Sequence, residues 1–192
     1  MISYLTNDIT NLEEVFTLEI LSSLLLKGNS SPFYKARMDR NGLGNDYSVA
    51  TGYSDATKET TFGFGLQGVT EEQIPQVFDM IQSTLEDVAK EGFSKERIDS
   101  VLHGAEIQKK SIPGNFGLST FGMIVSHWIH GTNIQSIMDM NTLIGNFKTK
   151  LDNDPKLLQK KIEEHLLENT VSNSIVLFFI KIILIFEYIA WC

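Results

Sequence analysis

The sequence holds one cysteine, Cys192, and it is the last of 192 residues. No intrachain disulfide and no cysteine-built zinc site can form, so the usage suits a reducing compartment. Positive charge is also scarce: 16 Lys+Arg stand against 24 Asp+Glu, for a net charge of -8. A general nucleic-acid binder clusters cations against phosphate, and that class drops out. No cation precedes Lys27, whereas Asp8, Glu13, Glu14 and Glu19 do. The expectation is that this N-terminus is neither a secretory signal nor a transit peptide. There is no G-x-S-x-G, no P-loop and no cysteine nucleophile. The length suits one domain with a sizeable core, with or without an appendage, and not two full domains.

What is present reads as an α+β chain. Ile2–Leu5 is β-prone, and Thr10-Asn-Leu-Glu13 has the spacing of a capping box, so a helix is expected there, carrying Leu12, Val15, Phe16, Leu18, Leu21, Leu24 and Leu25 to a stop at Gly28. Ser31-Pro32 opens a second helix to about Arg40. Asn41-Gly-Leu-Gly44 is a turn, and Tyr47–Tyr53 with Glu59–Leu66 form an expected hairpin. In its second strand Phe62, Phe64 and Leu66 alternate with Gly63, Gly65 and Gln67, which leaves one face bare enough for a close approach. Thr70-Glu-Glu-Gln73 caps a helix with the stripe Ile74, Val77, Phe78, Ile81, Leu85, Val88 and Ala89, ending at Gly92. Ser94 caps the next, which carries Ile98, Val101, Leu102 and Ala105 inward. Another is marked by Leu118, Phe121, Ile124, Val125, Trp128 and Ile129; further helices begin at Thr132 and at Asp154-Pro155.

Three patterns invite a chemical reading. Gly63-Phe-Gly-Leu-Gln-Gly68 matches G-x-G-x-x-G between a strand and a helix. In a dinucleotide site the helix opens within the glycines, but here the cap, Thr70, lies beyond the third, so nucleotide binding is set aside. His103-Gly-Ala-Glu106 begins an H-x-x-E-H zinc motif, yet position 107 is Ile and the second ligand is missing. His127 and His130 are three residues apart with no third ligand in view, and are read as ordinary helix-end histidines; His165, after Glu163 and Glu164, is expected to face solvent. The last stretch, Ile175–Cys192, is apolar except for Lys181 and Glu187. As a helix it would span about 27 Å, just short of the roughly 30 Å hydrocarbon core. Its two charges and the lack of flanking cations weigh against insertion, and its Ile and Phe content also fits a strand pair.

The stretch LSSLLLKGNSSPFYKARMDRNGLG, Leu21 to Gly44, resembles the second domain of the presequence proteases, the organellar branch of the pitrilysin-type zinc metallopeptidases that includes falcilysin. The likeness begins at ISYLTNDI and continues through GYSDATKETTFGFGLQGV, EGFSKERIDSVLHGAEIQKK and FGLSTFGMIVSHWIHG, so it covers most of the chain to about Asn169. It implies a fold: a small antiparallel or mixed sheet packed by several helices over residues 1–131, then a helical segment, 132–170, that resembles the start of the linker between the halves of a clamshell peptidase, then an unrelated apolar tail, 171–192. It implies an activity for the full-length family: zinc-dependent hydrolysis of unstructured peptides such as cleaved targeting sequences, in a mitochondrial or other organellar matrix.

The family's zinc motif and its downstream glutamate belong to a first domain that this chain does not contain. No catalytic, cofactor-binding or metal residue carries over, and the chain alone is expected to be inactive. Ser31, Pro32, Phe33, Tyr34, Gly42, Leu43 and Gly44 match a family signature whose reading is structural, a capped helix and a tight turn. The expected partners are the remaining domains of the same protease and, in the intact enzyme, a peptide substrate. Because Met1 stands directly at a strand that follows the active-site domain in the family, a partial chain is expected. The alternative is a non-catalytic peptide-binding or protease-associated module, held to a membrane by Ile175–Cys192.

Overall fold

A computed structural model describes residues 1–39, 42–110 and 114–176. The chain opens with β1 (Ile2–Asp8), longer than the run of apolar residues suggests, and passes to α1 (Leu12–Leu26). The cap of α1 is Asn11, whose side chain accepts from Glu14 N at 3.3 Å, one residue later than the expected Thr10. Thr10 is taken instead by Asp8, whose carboxylate accepts from both its N–H and its hydroxyl. After Gly28, α2 (Pro32–Asp39) starts behind Ser31, with Tyr34 N–H on the serine hydroxyl.

The expected hairpin forms in two pieces. Asp46–Tyr47 (β2) pairs with Leu66–Gln67 (β5) as a separate ribbon, while Gly52–Ser54 (β3) pairs with Glu59–Phe64 (β4). The break lies at Ser48–Thr51, which turns back on itself through Thr51 N–H to Ser48 O. The main sheet runs β3-β4-β1-β6, antiparallel throughout, and its last strand, β6 (Ser172–Ser174), comes from the C-terminal end of the described chain. This strand is polar and exposed, so no apolar alternation announces it. The bare face of β4 is covered by the chain itself. A Cβ on Gly63 would run into the Ala50 carbonyl, and one on Gly65 would meet Ser48 Oγ at 2.7 Å and Met1 Cβ at 2.8 Å.

The core gathers on the other face. Phe62 and Phe64 stack at 5.0 Å, and Phe33 of α2 stacks on Phe64 at 4.7 Å. Behind them runs α1, buried nearly all round, followed by α3 (Ile74–Glu91), which presents Val77, Met80, Ile81, Leu85, Val88 and Ala89. The Thr70 box is present, although its first residues, Glu71–Gln73, form a 3₁₀ turn before the α-helix. Next comes α4 (Lys95–Lys110), whose Arg97 reaches back to the end of α1: its guanidinium donates to Leu24 O at 2.7 and 3.2 Å and to Lys27 O at 3.1 Å. A cation thus satisfies the carbonyls that a helix end leaves without partners.

Four helices follow: α5 (Phe116–Trp128), α6 (Ile134–Met138), α7 (Met140–Asn153) and α8 (Leu157–Ile162), the last running into a wide π turn, Glu163–Leu167. Ile144, Phe147, Leu158, Ile162 and Leu166 join the same core as α1 and α3. α5 does not, despite its apolar stripe. Leu118, Phe121, Trp128 and Ile129 are exposed, and the residue α5 buries is a histidine.

Candidate functional site

Helix α1 sets out Leu12, Val15, Phe16 and Glu19 along one line, the i, i+3, i+4, i+7 rows of a single face. Across from that line, α5 presents Met123 and His127. Between them, closed by α4 on one side and by α6 and α7 on the other, is a cavity of about 540 Å³. Its apolar wall includes Phe16, Met138, Met140 and Leu143, and its polar corner is Glu19, Asp55 and His127.

The corner is positioned by the sheet. Between Leu5 and Asp8 the pairing of β1 with β4 slips, and Thr60, fully buried, serves both Thr6 and Asn7 through its hydroxyl. Pairing then resumes with Ile9 N–H on Lys58 O, which leaves Ile9 O aimed at α5. Asp55 sits in the turn joining β3 to β4. His127, only 3% exposed, spans the two: Nδ1 lies 3.2 Å from Ile9 O, and Nε2 lies 3.0 Å from Asp55 Oδ2. A carbonyl and a carboxylate both only accept, so both ring nitrogens face acceptors. The hydrogen bond from His127 holds the Asp55 carboxyl below its ordinary range, against the opposing effect of burial. This pair is what fastens α5 to the sheet.

Glu19 is different. It is exposed to solvent at the edge of the cavity, and among the described residues no group donates to it. Partial desolvation by the residues around it pushes its pKa up, the neighbouring Asp55 charge adds to that, and Lys27 and His127 offset part of it. With Asp55 hydrogen-bonded to His127, Glu19 is the acid of the corner without a hydrogen-bonded partner among the described residues.

The residues singled out by sequence fall in several places. His103 is exposed, 3.8 Å from Glu106, which is held by Lys148 at 3.0 Å. His127 lies in the last turn of α5, a helix-end histidine that is also buried, and His130 lies apart from its bonds. His165 corrects the expectation more plainly. It is buried, and its Nε2 meets Glu14 Oε1 at 2.7 Å. Lys161 sits in the same group, 2.8 Å from Glu14 and 2.7 Å from Glu164. These two acids and His165 have the donor types of a metal site, but an ammonium already occupies the space between the carboxylates. The glycines of Gly63–Gly68 are filled by their own chain, Gly68 facing Asn45. Glu19 and Asp55 were not singled out. A lone acid in the middle of α1's apolar face is a readable signal for Glu19; Asp55, in a polar turn, carries none.

The signature residues have structural contacts. Ser31 is buried, caps α2 and donates to Leu26 O at 3.2 Å; Phe33 and Leu43 are core. Gly44, at φ +66°, lies where a Cβ would stand 3.0 Å from Gln67 O. Of the tail, residues 177–192 lie outside the described residues. Among the described residues no helix is long and apolar enough to cross a membrane, and the anchor expectation falls almost wholly on residues outside them.

The family model described as "Peptidase M16 inactive domain" matches residues 1–104. The mitochondrial presequence protease of Mus musculus is 39% identical over 168 residues, 88% of this chain and 16% of that protein. That of Schizosaccharomyces pombe is 37% identical, over 88% of this chain and 17% of its own length. Among solved structures, a protease from Helicobacter pylori superposes with a TM-score of 0.63 at 17% identity, covering 89% of this chain and 38% of that one. The inactive peptidase domain of a Bordetella parapertussis protein gives 0.62 at 17% identity, covering 92% and 89%. This chain thus spans about a sixth of the length of its curated relatives. Zinc belongs to the family, but the residues here do not fit it: His103 has no second histidine beside it, Glu14 and Glu164 are tied to Lys161, and His165 is tied to Glu14. The sheet, the helices packed on it and the match over more than half its length agree: the chain belongs to the M16 peptidases, and the part it represents is their inactive domain.

Proposed function

We propose that this chain is the non-catalytic wall and scaffold of a presequence-protease-like zinc metalloendopeptidase, one that degrades unstructured peptides in the mitochondrial matrix. Zinc and the catalytic base come from other domains of the same protease. The observation that carries this reading is the coincidence of two matches, the inactive-domain model over residues 1–104 and 39% identity to a presequence protease over 88% of the chain. Residues 1–131 are the domain proper and 132–170 the start of the linker. The placing of Ile144, Phe147 and Leu158 in the common core supports a linker that leaves the domain only after packing on it.

Two measurements test the proposal. The purified chain, given a basic presequence peptide, is expected to show neither stoichiometric zinc nor cleavage; zinc with chelator-sensitive turnover would overturn the scaffold role. Residues 1–170 transplanted for the matching segment of the mouse presequence protease are expected to preserve hydrolysis. A folded, zinc-loaded chimera without activity would count against the assignment.

A further inference from the structure

We propose that the outer face of α5 is a self-association surface, on which a second copy of this chain packs about a twofold axis that crosses the helix at Gly122. The inference concerns this chain as it stands and is separate from the protease reading.

The first argument is the division of α5 into two sides. Phe116, Ser119, Thr120, Met123 and His127 line the cavity. Leu118, Phe121, Val125, Trp128 and Ile129 fall on the other side, at the i, i+3, i+7, i+10 and i+11 positions of one helical face. All but Val125 are more than half exposed. Side chains of this size leave about 500 Å² of apolar surface open on each copy, so a pair would bury roughly 1,000 Å², the area of a weak but specific dimer. The second is charge. The helix Phe116–Trp128 holds no Asp, Glu, Lys or Arg, and its one histidine is buried on the cavity side. Two copies therefore meet there without bringing like charges together, while the net charge of -8 acts at longer range, where salt screens it. The third is the place of a glycine. Gly122 is exposed on the outer face, between Phe121 and Val125, and no other part of the described chain comes within 4 Å of where its Cβ would stand. A second helix can approach closely at that point. An antiparallel crossing there sets Leu118 and Phe121 of one copy against Val125, Trp128 and Ile129 of the other, and the reverse, as a twofold contact requires.

Sedimentation velocity on the full chain tests the surface. The chain should pass from monomer at about 1 μM to dimer by about 100 μM, because an area at the low end for specific pairs goes with micromolar affinity. Added salt should strengthen the association, since it screens the net repulsion and leaves the apolar contact intact. Leu118→Asp, which forces a carboxylate against an apolar surface in both copies, should weaken it about tenfold or more without lowering the melting temperature. Cross-linking tests the geometry. In a Cys192→Ser background, Gly122→Cys should give a disulfide-linked dimer under copper-phenanthroline oxidation, because the axis brings position 122 against its own copy; Ser119→Cys, on the cavity side, should not. A monomer at every concentration, open-ended aggregation in place of a dimer, association that Leu118→Asp leaves intact, as pairing through the apolar tail would be, or equal cross-linking from 119 and 122 would each overturn the proposal. Should Leu118→Asp not fold, the comparison of positions 122 and 119 still decides.

Discussion

Helices α3 and α5 look alike as sequences and behave oppositely as structures. Each carries apolar residues at helical spacing and each ends at a glycine, Gly92 or Gly131. In α3 the stripe from Val77 to Ala89 is buried against α2, α8 and the sheet. In α5, Leu118 is 76% and Phe121 64% exposed, and attachment rests on His127. Periodicity announces that a helix has an apolar face; it does not say whether the partner for that face lies in the same chain. The comparison therefore divides the molecule into a dry core built on β4, α1 and α3, and a layer, α5 with α6, that borders the cavity.

The largest effects should come from the dry side. Phe64 is fully buried between Phe62 and Phe33, and Phe64→Ala should cost about 3–5 kcal/mol in urea unfolding, the usual range for emptying an aromatic site in a core. A loss below 1 kcal/mol would mean that this aromatic stack does not organise the fold. Next is Arg97, which holds α1's last carbonyls from α4. Arg97→Met keeps the aliphatic stem and removes charged hydrogen bonds, for an expected loss of about 2 kcal/mol. Gly63→Ala comes next, at about 1–3 kcal/mol, because the added methyl meets the Ala50 carbonyl and the backbone must yield. If Gly63→Ala is silent, the loop at Ser48–Thr51 is not seated on β4 as described.

The acid limb of stability sharpens the same division. Burial opposes ionisation of Glu14, but hydrogen bonds from His165 and Lys161 outweigh it and hold the carboxyl below its ordinary 4.5. A depressed carboxylate contributes stability that is complete above the unfolded value and is lost as pH falls through the folded one. Lys161 has the opposite sign. Burial lowers its pKa, the bonds to Glu14 and Glu164 raise it more, and its contribution fades only as pH rises through a value above 10.5. Stability should therefore decline below about pH 4.5, and Glu14→Gln should flatten that decline while lowering stability at pH 7. An acid limb unchanged by Glu14→Gln would show that the link between α1 and the π turn carries no stability.

How much of this could be read in advance follows from how local each feature is. The caps at Ser31, Thr70 and Ser94, the α3 stripe and the close approach at Gly63 and Gly65 are properties of neighbouring residues, and they were legible. The break in the hairpin was not, because it depends on how Ser48–Thr51 folds over β4. Nor was β6, a polar strand recruited by β1 from more than 160 residues away. His165 looked solvent-facing because Glu163 and Glu164 precede it, yet its partner, Glu14, comes from the other end of the chain. The cavity corner is the extreme case. Glu19, Asp55 and His127 come from a helix, a turn and another helix, and Glu19 alone stands out locally, as an acid on an apolar face.

The smallest expected effect is the most informative about α5. Phe121 is exposed, and a side chain that buries little on folding contributes little when removed. Phe121→Ser should leave unfolding within about 0.5 kcal/mol of the unaltered chain, while Phe64→Ala removes several. The same substitution should reduce self-association at high concentration, because a run of exposed apolar side chains on one helix is the kind of patch that brings copies together. A loss above 1 kcal/mol for Phe121→Ser would mean that α5 packs on its own chain after all, and the division between a dry core and an open layer would fail at its most exposed residue.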